Sequence, residues 1–259
     1  MSLRLSGGRR LQSPPGTLAR PTSSRVRQAV INLLGARLSG CRWLDLCSGS
    51  GAMACEALQR GAAAVVAVER QRRIAAVARA NLEAVARGRR DQPPVIVHGE
   101  EVLGWLGRNS PAELGMEPGL GMAAGFDLIY VDPPYAAGLY APFAAAVLRG
   151  SWLRPDGLML WECDALRAPA LPEGWRLHDQ RRYGGTGLLL LEPGSAAEGA
   201  AAAVLVPGGD EQTHQGDGNQ TEHDAAEQGF DHGKVAVVVL AMHNHSMTWA
   251  APATRNARS

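Results

Sequence analysis

The sequence predicts an α/β protein built on a seven-stranded, mostly parallel sheet with one antiparallel strand. Three observations carry this expectation. Short apolar runs alternate with helical stretches from Trp43 to Glu192, the rhythm of a parallel sheet covered by helices on both faces. Only Tyr183-Gly184-Gly185 separates the last two runs, and so short a turn permits only an antiparallel hairpin. With 46% hydrophobic and 20% charged residues in 259, the chain can bury a sizeable core.

The elements follow in order. Glycines, prolines and arginines from Met1 to Ala19 predict an extended arm or short hairpin. Thr22, Ser23 and Ser24 offer N-cap hydroxyls, and Val26, Ala29, Val30, Leu33 and Leu34 recur at helical spacing, so a helix is expected over 24–38 with Arg25 and Arg27 on or near its solvent side. Trp43 to Cys47 reads as the first strand, Ser48-Gly49-Ser50-Gly51 as a turn and Ala52 to Gln59 as a helix closed by Gly61. Further strands are expected at 64–69, 95–97, 126–132, 157–163, 175–182 and 187–192, and further helices at 72–85, 101–106 and 138–149. The Gly-, Pro- and Ala-rich stretch 108–125 reads as a surface loop. These patterns divide the chain into a basic arm and helix (1–40), an α/β domain (41–194) and a low-complexity tail (195–259). The tail carries one possible strand at 235–241 and otherwise lacks the apolar periodicity needed to order it.

The net charge of +1 conceals an asymmetry. Residues 1–44 hold eight arginines (Arg4, Arg9, Arg10, Arg20, Arg25, Arg27, Arg37, Arg42) and no acid, whereas the tail holds eight acids against Lys234, Arg255 and Arg258. Clustered cations repel one another unless a polyanion or neighbouring acids neutralise them. The longest apolar run, Val235 to Met242, is too short for a bilayer of about 30 Å, and the first residues lack a secretory apolar core, so a cytoplasmic location is expected. Cys41, Cys47, Cys55 and Cys163 show no C-x-x-C pairing and are expected as buried thiols. The histidines of the tail have no metal-ligand spacing, so no metal site is expected.

Two stretches carry chemistry. In Asp45-Leu46-Cys47-Ser48-Gly49-Ser50-Gly51 the glycines let backbone approach a ligand. Gly49-x-Gly51-x-x-Ala54 with Glu69 also satisfies the dinucleotide fingerprint, and a strand-to-helix turn with no ligand would look the same. Asp45 favours a ligand bearing an ammonium or sulfonium over a pyrophosphate, which S-adenosylmethionine satisfies. Its carboxylate would meet the amides of the following helix, its ribose Glu69, and its adenine Glu100. The second stretch, Asp132-Pro133-Pro134-Tyr135, ends the run Phe126 to Val131, at the sheet edge where open α/β folds bind ligands. Asp132 and the Pro133 carbonyl can accept both protons of an exocyclic amine and free its lone pair for methylation, two prolines hold the geometry, and Tyr135 can stack on the ring.

With these residues in place, the chain resembles the bacterial RsmD-type methyltransferases. The resemblance runs through Gly7-Gly8-Arg9-Arg10-Leu11, Pro14-Pro15-Gly16, Arg20-Pro21-Thr22-Ser23-Ser24-Arg25-Val26-Arg27, Leu44-Asp45-Leu46 with Gly49-Ser50-Gly51, Glu56-Ala57-Leu58, Arg60-Gly61-Ala62, Glu69, Asp132 to Tyr135, and Arg182-Tyr183-Gly184. It implies a Rossmann-like class I fold and transfer of methyl from S-adenosyl-L-methionine to guanine N2 in 16S ribosomal RNA, on an assembling small subunit, by a monomer. It also implies that Asp132, Pro133, Pro134 and Tyr135 are catalytic. Asp45, Cys47, Ser48, Gly49, Gly51, Glu69, Arg70 and Glu100 would bind the cofactor, and Arg4, Arg9, Arg10, Arg20, Thr22, Arg25 and Arg27 the RNA. Cys47 replaces the usual first glycine of the turn, and Glu100 a usual aspartate. N6-adenine methylation of DNA, a non-catalytic ribosome-assembly protein and a nicotinamide dehydrogenase are the rival readings.

Overall fold

The computed structural model describes residues 3–14, 22–115, 124–134 and 137–194. Arg20, Tyr135, most of the second half of the 108–125 loop and the 195–259 tail, with its expected strand, lie outside the described residues.

Seven strands form one sheet: β1 (Arg42–Leu46), β2 (Ala64–Val68), β3 (Val95–His98), β4 (Phe126–Val131), β5 (Leu153–Asp164), β6 (Trp175–Tyr183) and β7 (Thr186–Pro193). Their order is β3-β2-β1-β4-β5-β7-β6. The first five run parallel, and β7 runs antiparallel to both β5 and β6. The single antiparallel strand, β7, lies between β5 and β6, joined to β6 by the two-residue turn Gly184-Gly185, with Tyr183 already paired to Thr186. The strand order reverses between β1 and β4, and that switch point is where open sheets bind ligands.

The helices are α1 (Ser24–Leu34), α2 (Ala52–Gln59), α3 (Arg72–Arg87), α4 (Val102–Arg108) and α5 (Tyr140–Arg149). Alternation of the buried strand residues sorts the core into two layers. Trp43, Val65, Ala67, Leu128, Tyr130, Leu158, Leu160, Leu188 and Leu190 face α1, α2 and α3. Leu44, Val66, Ile129, Val131, Met159, Trp161, Leu189 and Leu191 face α4 and α5. Both faces are dry, which is why these strands read as unbroken apolar runs.

The N-terminal segment packs on the first of these faces. Leu5 N–H donates to Arg9 O and Leu11 N–H to Leu3 O, each at 2.9 Å, closing a small hairpin whose Leu5 and Leu11 are buried in the core. Ser23 Oγ accepts from Val26 N–H at 3.2 Å and caps α1.

Three expectations need correction. The helix expected over 24–38 ends at Leu34, because Gly35 turns to φ 50° and a 3-10 turn follows over Gly35–Leu38. The fifth strand begins at Leu153 rather than 157, its early part pairing with Phe126 across a register shift. Asp127, at that shift, accepts from Arg42 N–H at 2.7 Å and from Arg154 Nη1 at 2.6 Å. Arg27, expected near solvent, is buried. It donates to Thr22 O at 2.7 Å, to Arg4 O at 2.5 Å and to Glu56 Oε1 at 3.4 Å, and this internal carboxylate is what draws it inward.

Candidate active site

The turn after β1 is built from left-handed backbone. Cys47, Gly49 and Gly51 have φ of 66°, 53° and 75°, a conformation that costs a side chain about 1 kcal/mol or more. Gly51 carries a second constraint, because a Cβ there would lie 3.3 Å from Ala78 of α3. Hydrogen bonds hold the turn: Ser48 N–H donates to Val68 O at 3.0 Å, Gly51 N–H to Ser48 O at 2.8 Å, and Gly49 N–H to Glu69 Oε2 at 3.0 Å. Asn81 of α3 clasps the turn from behind. Its Nδ2 donates to Ser50 O and to Gln12 O at 3.0 Å, while its Oδ1 accepts from Gln12 N–H at 2.8 Å. Nothing in the local pattern of α3 marks Asn81 for this role beyond its being a polar residue on the buried stripe.

Four acids converge on this edge. Asp45 and Tyr130 are register partners in β1 and β4, and Val131 and Trp161 in β4 and β5, so Asp132 and Glu162 sit side by side one residue further along. Period-two alternation then turns Asp45, Asp132 and Glu162 toward the face that carries α1. Glu69, at the end of β2, completes the group.

Asp45 is buried, and its Oδ2 has no hydrogen-bond partner among the described residues. Burial, then the charges of Asp132 and Glu69, push its carboxyl up to about 8, against the pull of the Ala54 amide. Burial and the same acids keep the Cys47 thiol protonated, so it is no nucleophile. An unpaired buried carboxylate beside further acids is the environment that a cationic ligand relieves.

Asp132 follows β4, with its N–H 3.4 Å from Leu46 O. Thr22 Oγ1 donates to Asp132 Oδ2 at 3.0 Å. Burial raises the Asp132 carboxyl to about 6, while the Thr22 hydroxyl opposes that rise. Pro133 is buried and Pro134 exposed. Glu162 accepts from the Tyr130 hydroxyl through Oε2, and its backbone carbonyl accepts from the Tyr140 hydroxyl at 2.6 Å. Burial and the Asp132 charge raise Glu162, with Tyr130, Thr22 and Arg27 pulling the other way.

The position of Thr22 is fixed in turn by Arg27, whose partner Glu56 also accepts from Ser6 N–H at 2.9 Å and Ser6 Oγ at 3.0 Å. A continuous path Glu56–Arg27–Thr22–Asp132 therefore ties the N-terminal hairpin to the acid at the sheet edge.

The structure thus gathers Asp45, Cys47, Ser48, Gly49, Gly51, Glu69, Asp132 and Pro133 in one place. Thr22 joins them through Asp132, a contact different from the RNA contact expected of it, and Arg27 is an internal strut. Glu100 is half-exposed and accepts from Arg108 Nη2 at 2.6 Å, whereas its neighbour Glu101 caps α4. Arg70 is exposed beside Glu69. Arg4, Arg9, Arg10 and Arg25 are exposed, Arg4 donating to Gly8 O at 3.0 Å. Among the described residues no cluster of acids, histidines or cysteines is arranged to hold a metal, and no helix is long and apolar enough to cross a membrane.

A parallel sheet with one inserted antiparallel strand, a left-handed glycine turn after β1 and an acid-Pro-Pro shelf after β4 define a Rossmann-like class I methyltransferase. The family model described as "Conserved hypothetical protein 95" matches residues 5–192. The chain belongs to that family, the RsmD-type group that its motifs resemble. The Bacillus subtilis "Putative rRNA methyltransferase YlbH" is 30% identical over 166 residues, covering 64% of this chain and 82% of that protein. "Ribosomal RNA small subunit methyltransferase D" of Escherichia coli K12 is 26% identical over 178 residues, covering 68% and 81%. The solved structure of the "Putative methyltransferase yhhF from Escherichia coli" superposes with a TM-score of 0.60 at 26% identity, covering 74% of this chain and 98% of that one.

Proposed function

We propose that this chain transfers a methyl group from S-adenosylmethionine to the exocyclic N2 of a guanine in small-subunit ribosomal RNA, acting as a cytoplasmic monomer on an assembling subunit. The observation that carries the reading is the Asp132-Pro133-Pro134 shelf beside the glycine turn, with the Asp132 carboxylate held by Thr22. The names of the Bacillus subtilis and Escherichia coli relatives support ribosomal RNA as the acceptor. Residues 1–40 serve as the substrate arm, residues 41–194 as the catalytic domain and 195–259 as an appended tail.

The donor contributes an electrophilic methyl carried on a sulfonium. The unpaired Oδ2 of Asp45 suits its ammonium group, the turn at Ser48 to Gly51 lets backbone come close, and Glu69 can take the ribose hydroxyls, although its Oε2 already steadies Gly49. Cys47 and Arg70 border the same site. Glu100 is a weaker partner for the adenine, because Arg108 already engages it.

At the acceptor, Asp132 Oδ1 and the Pro133 carbonyl receive the two amine protons, drawing the nitrogen toward tetrahedral geometry. The amine would gain the methyl as its bond to the sulfonium breaks, leaving a neutral thioether, and would lose one proton, for which Asp132 Oδ1 is the first acceptor. Tyr135 stacks on the guanine once it has left its own stack. Exposed Arg4, Arg9, Arg10 and Arg25, together with Arg20, contact phosphates.

Incubating the protein with labelled cofactor and naked DNA, free ribosomal RNA or immature small-subunit particles tests the reading. Label in the RNA of the particles is expected, and label in DNA alone would overturn the proposal.

A further inference from the structure

A groove lies between α1 and the β6–β7 hairpin. It is shallow and open to solvent, about 470 Å³ in volume, and is lined by Arg25, Gln28, Ala29, Asn32, Leu33 and Tyr183. Its chemistry is mixed in a particular way. Arg25 is exposed and makes no hydrogen bond or ion pair among the described residues. Gln28 Nε2 donates to Asn32 Oδ1 at 2.8 Å, leaving the Gln28 carbonyl oxygen and the Asn32 amide hydrogens available. Tyr183 is half-buried, its ring anchored against the core cluster. Arg182, exposed at the hairpin turn, donates Nε–H to Gly184 O at 3.0 Å, and among the described residues no acid lines the groove.

A cation without a counter-charge, an anchored aromatic ring and a pair of amides are the ingredients with which proteins hold single-stranded nucleic acid. The groove also starts three residues along the chain from a contact of the active site. Thr22, which donates to Asp132, precedes the Ser23 cap, and Arg25 lies in the first turn of α1. From Arg25 to Asn32 the helix rises about 10 Å, the rise of roughly three stacked nucleotides.

We propose that this groove binds the unpaired nucleotides flanking the target guanine, with a base stacked on Tyr183, a phosphate on Arg25 and base edges read by Gln28 and Asn32. The proposal rests on the RNA-methyltransferase reading and gives Arg182-Tyr183-Gly184 a role. A groove that grips the flanking strand would keep the flipped guanine over the shelf.

Anisotropy titrations of labelled single-stranded fragments of small-subunit ribosomal RNA test it. Tyr183→Leu is expected to weaken binding about tenfold and Tyr183→Phe to leave it within twofold. Arg25→Gln should weaken binding and lower the slope of log affinity against log salt by about one. Thermal midpoints and calorimetric binding of S-adenosylhomocysteine serve as controls for folding. Wild-type affinity in both Tyr183→Leu and Arg25→Gln would overturn the proposal, as would failure of the wild-type chain to bind these fragments. Impaired methylation of particles with unchanged affinity for RNA would assign the groove to a protein segment of the particle and equally overturn it. If the wild-type chain binds the fragments through this groove but methylates no RNA, the functional reading fails while the groove stands.

Discussion

Replacing Thr22 by valine removes one hydroxyl and leaves most of the side-chain volume, so it isolates the 3.0 Å bond to Asp132. A hydrogen bond to an ionised group is worth about 1.5–3 kcal/mol, and this one favours the carboxylate over the acid. Because each pKa unit corresponds to about 1.4 kcal/mol, losing it should lift the Asp132 carboxyl from about 6 by roughly one to two units. In the proposed mechanism methyl transfer needs the carboxylate, so the acid limb of the pH–rate profile should move upward by the same amount. At pH 7 the ionised fraction falls by about two- to tenfold, and raising the pH restores much of the rate. Thr22→Ser should keep the bond and the wild-type limb. Single-turnover rates between pH 5 and 9 provide the assay. An unmoved limb in Thr22→Val, or a loss that higher pH does not relieve, would refute the role given to Thr22.

Other consequences concern folding. Arg27→Met leaves Glu56 buried without its cation, which should cost about 3–5 kcal/mol and lower the thermal midpoint by roughly 10 °C; adding Glu56→Gln should recover part of the loss in the same melting experiment. Asp45, whose carboxyl rises from 3.8 to about 8 on folding, holds its proton in the folded chain across a window in which the unfolded chain releases it. Its contribution is therefore fully present below pH 4 and lost as pH rises to 8, at up to about 1.4 kcal/mol per pH unit. The cofactor-free protein should melt higher at pH 5.5 than at pH 8, and Asp45→Asn should flatten that slope. Asn81→Ala cuts the clasp on Ser50 and Gln12 and should weaken cofactor binding about tenfold by calorimetry, since the glycine turn loses its support.

The sequence made the sheet legible because its central strands are buried on both faces and the short turn around Gly184-Gly185 admits one geometry. The glycine turn and the acid-Pro-Pro shelf were legible for a similar reason, since each demands residue types that few other contexts tolerate. The contacts between them were hidden. Thr22 and Asp132 are 110 residues apart, and no local pattern announces that a helix-capping segment will land on the acid of the shelf. Arg27 looked like a solvent residue because its partner Glu56 lies 29 residues further on, itself within an apolar helix. Glu162 sits in no motif of the sequence. Only the register of Trp161 with Val131 places it beside Asp132.

One comparison bears most directly on the chemistry at the shelf. Wild-type chain and Asp132→Ala are each incubated with immature small-subunit particles and labelled cofactor, the RNA is digested to nucleosides, and cofactor affinity is measured in parallel. The wild-type chain should form N2-methylguanosine, at about one per particle, and the variant none, with cofactor binding little changed. An Asp132→Ala chain that methylates at the wild-type rate, or a wild-type product methylated elsewhere than guanine N2, would contradict the mechanism.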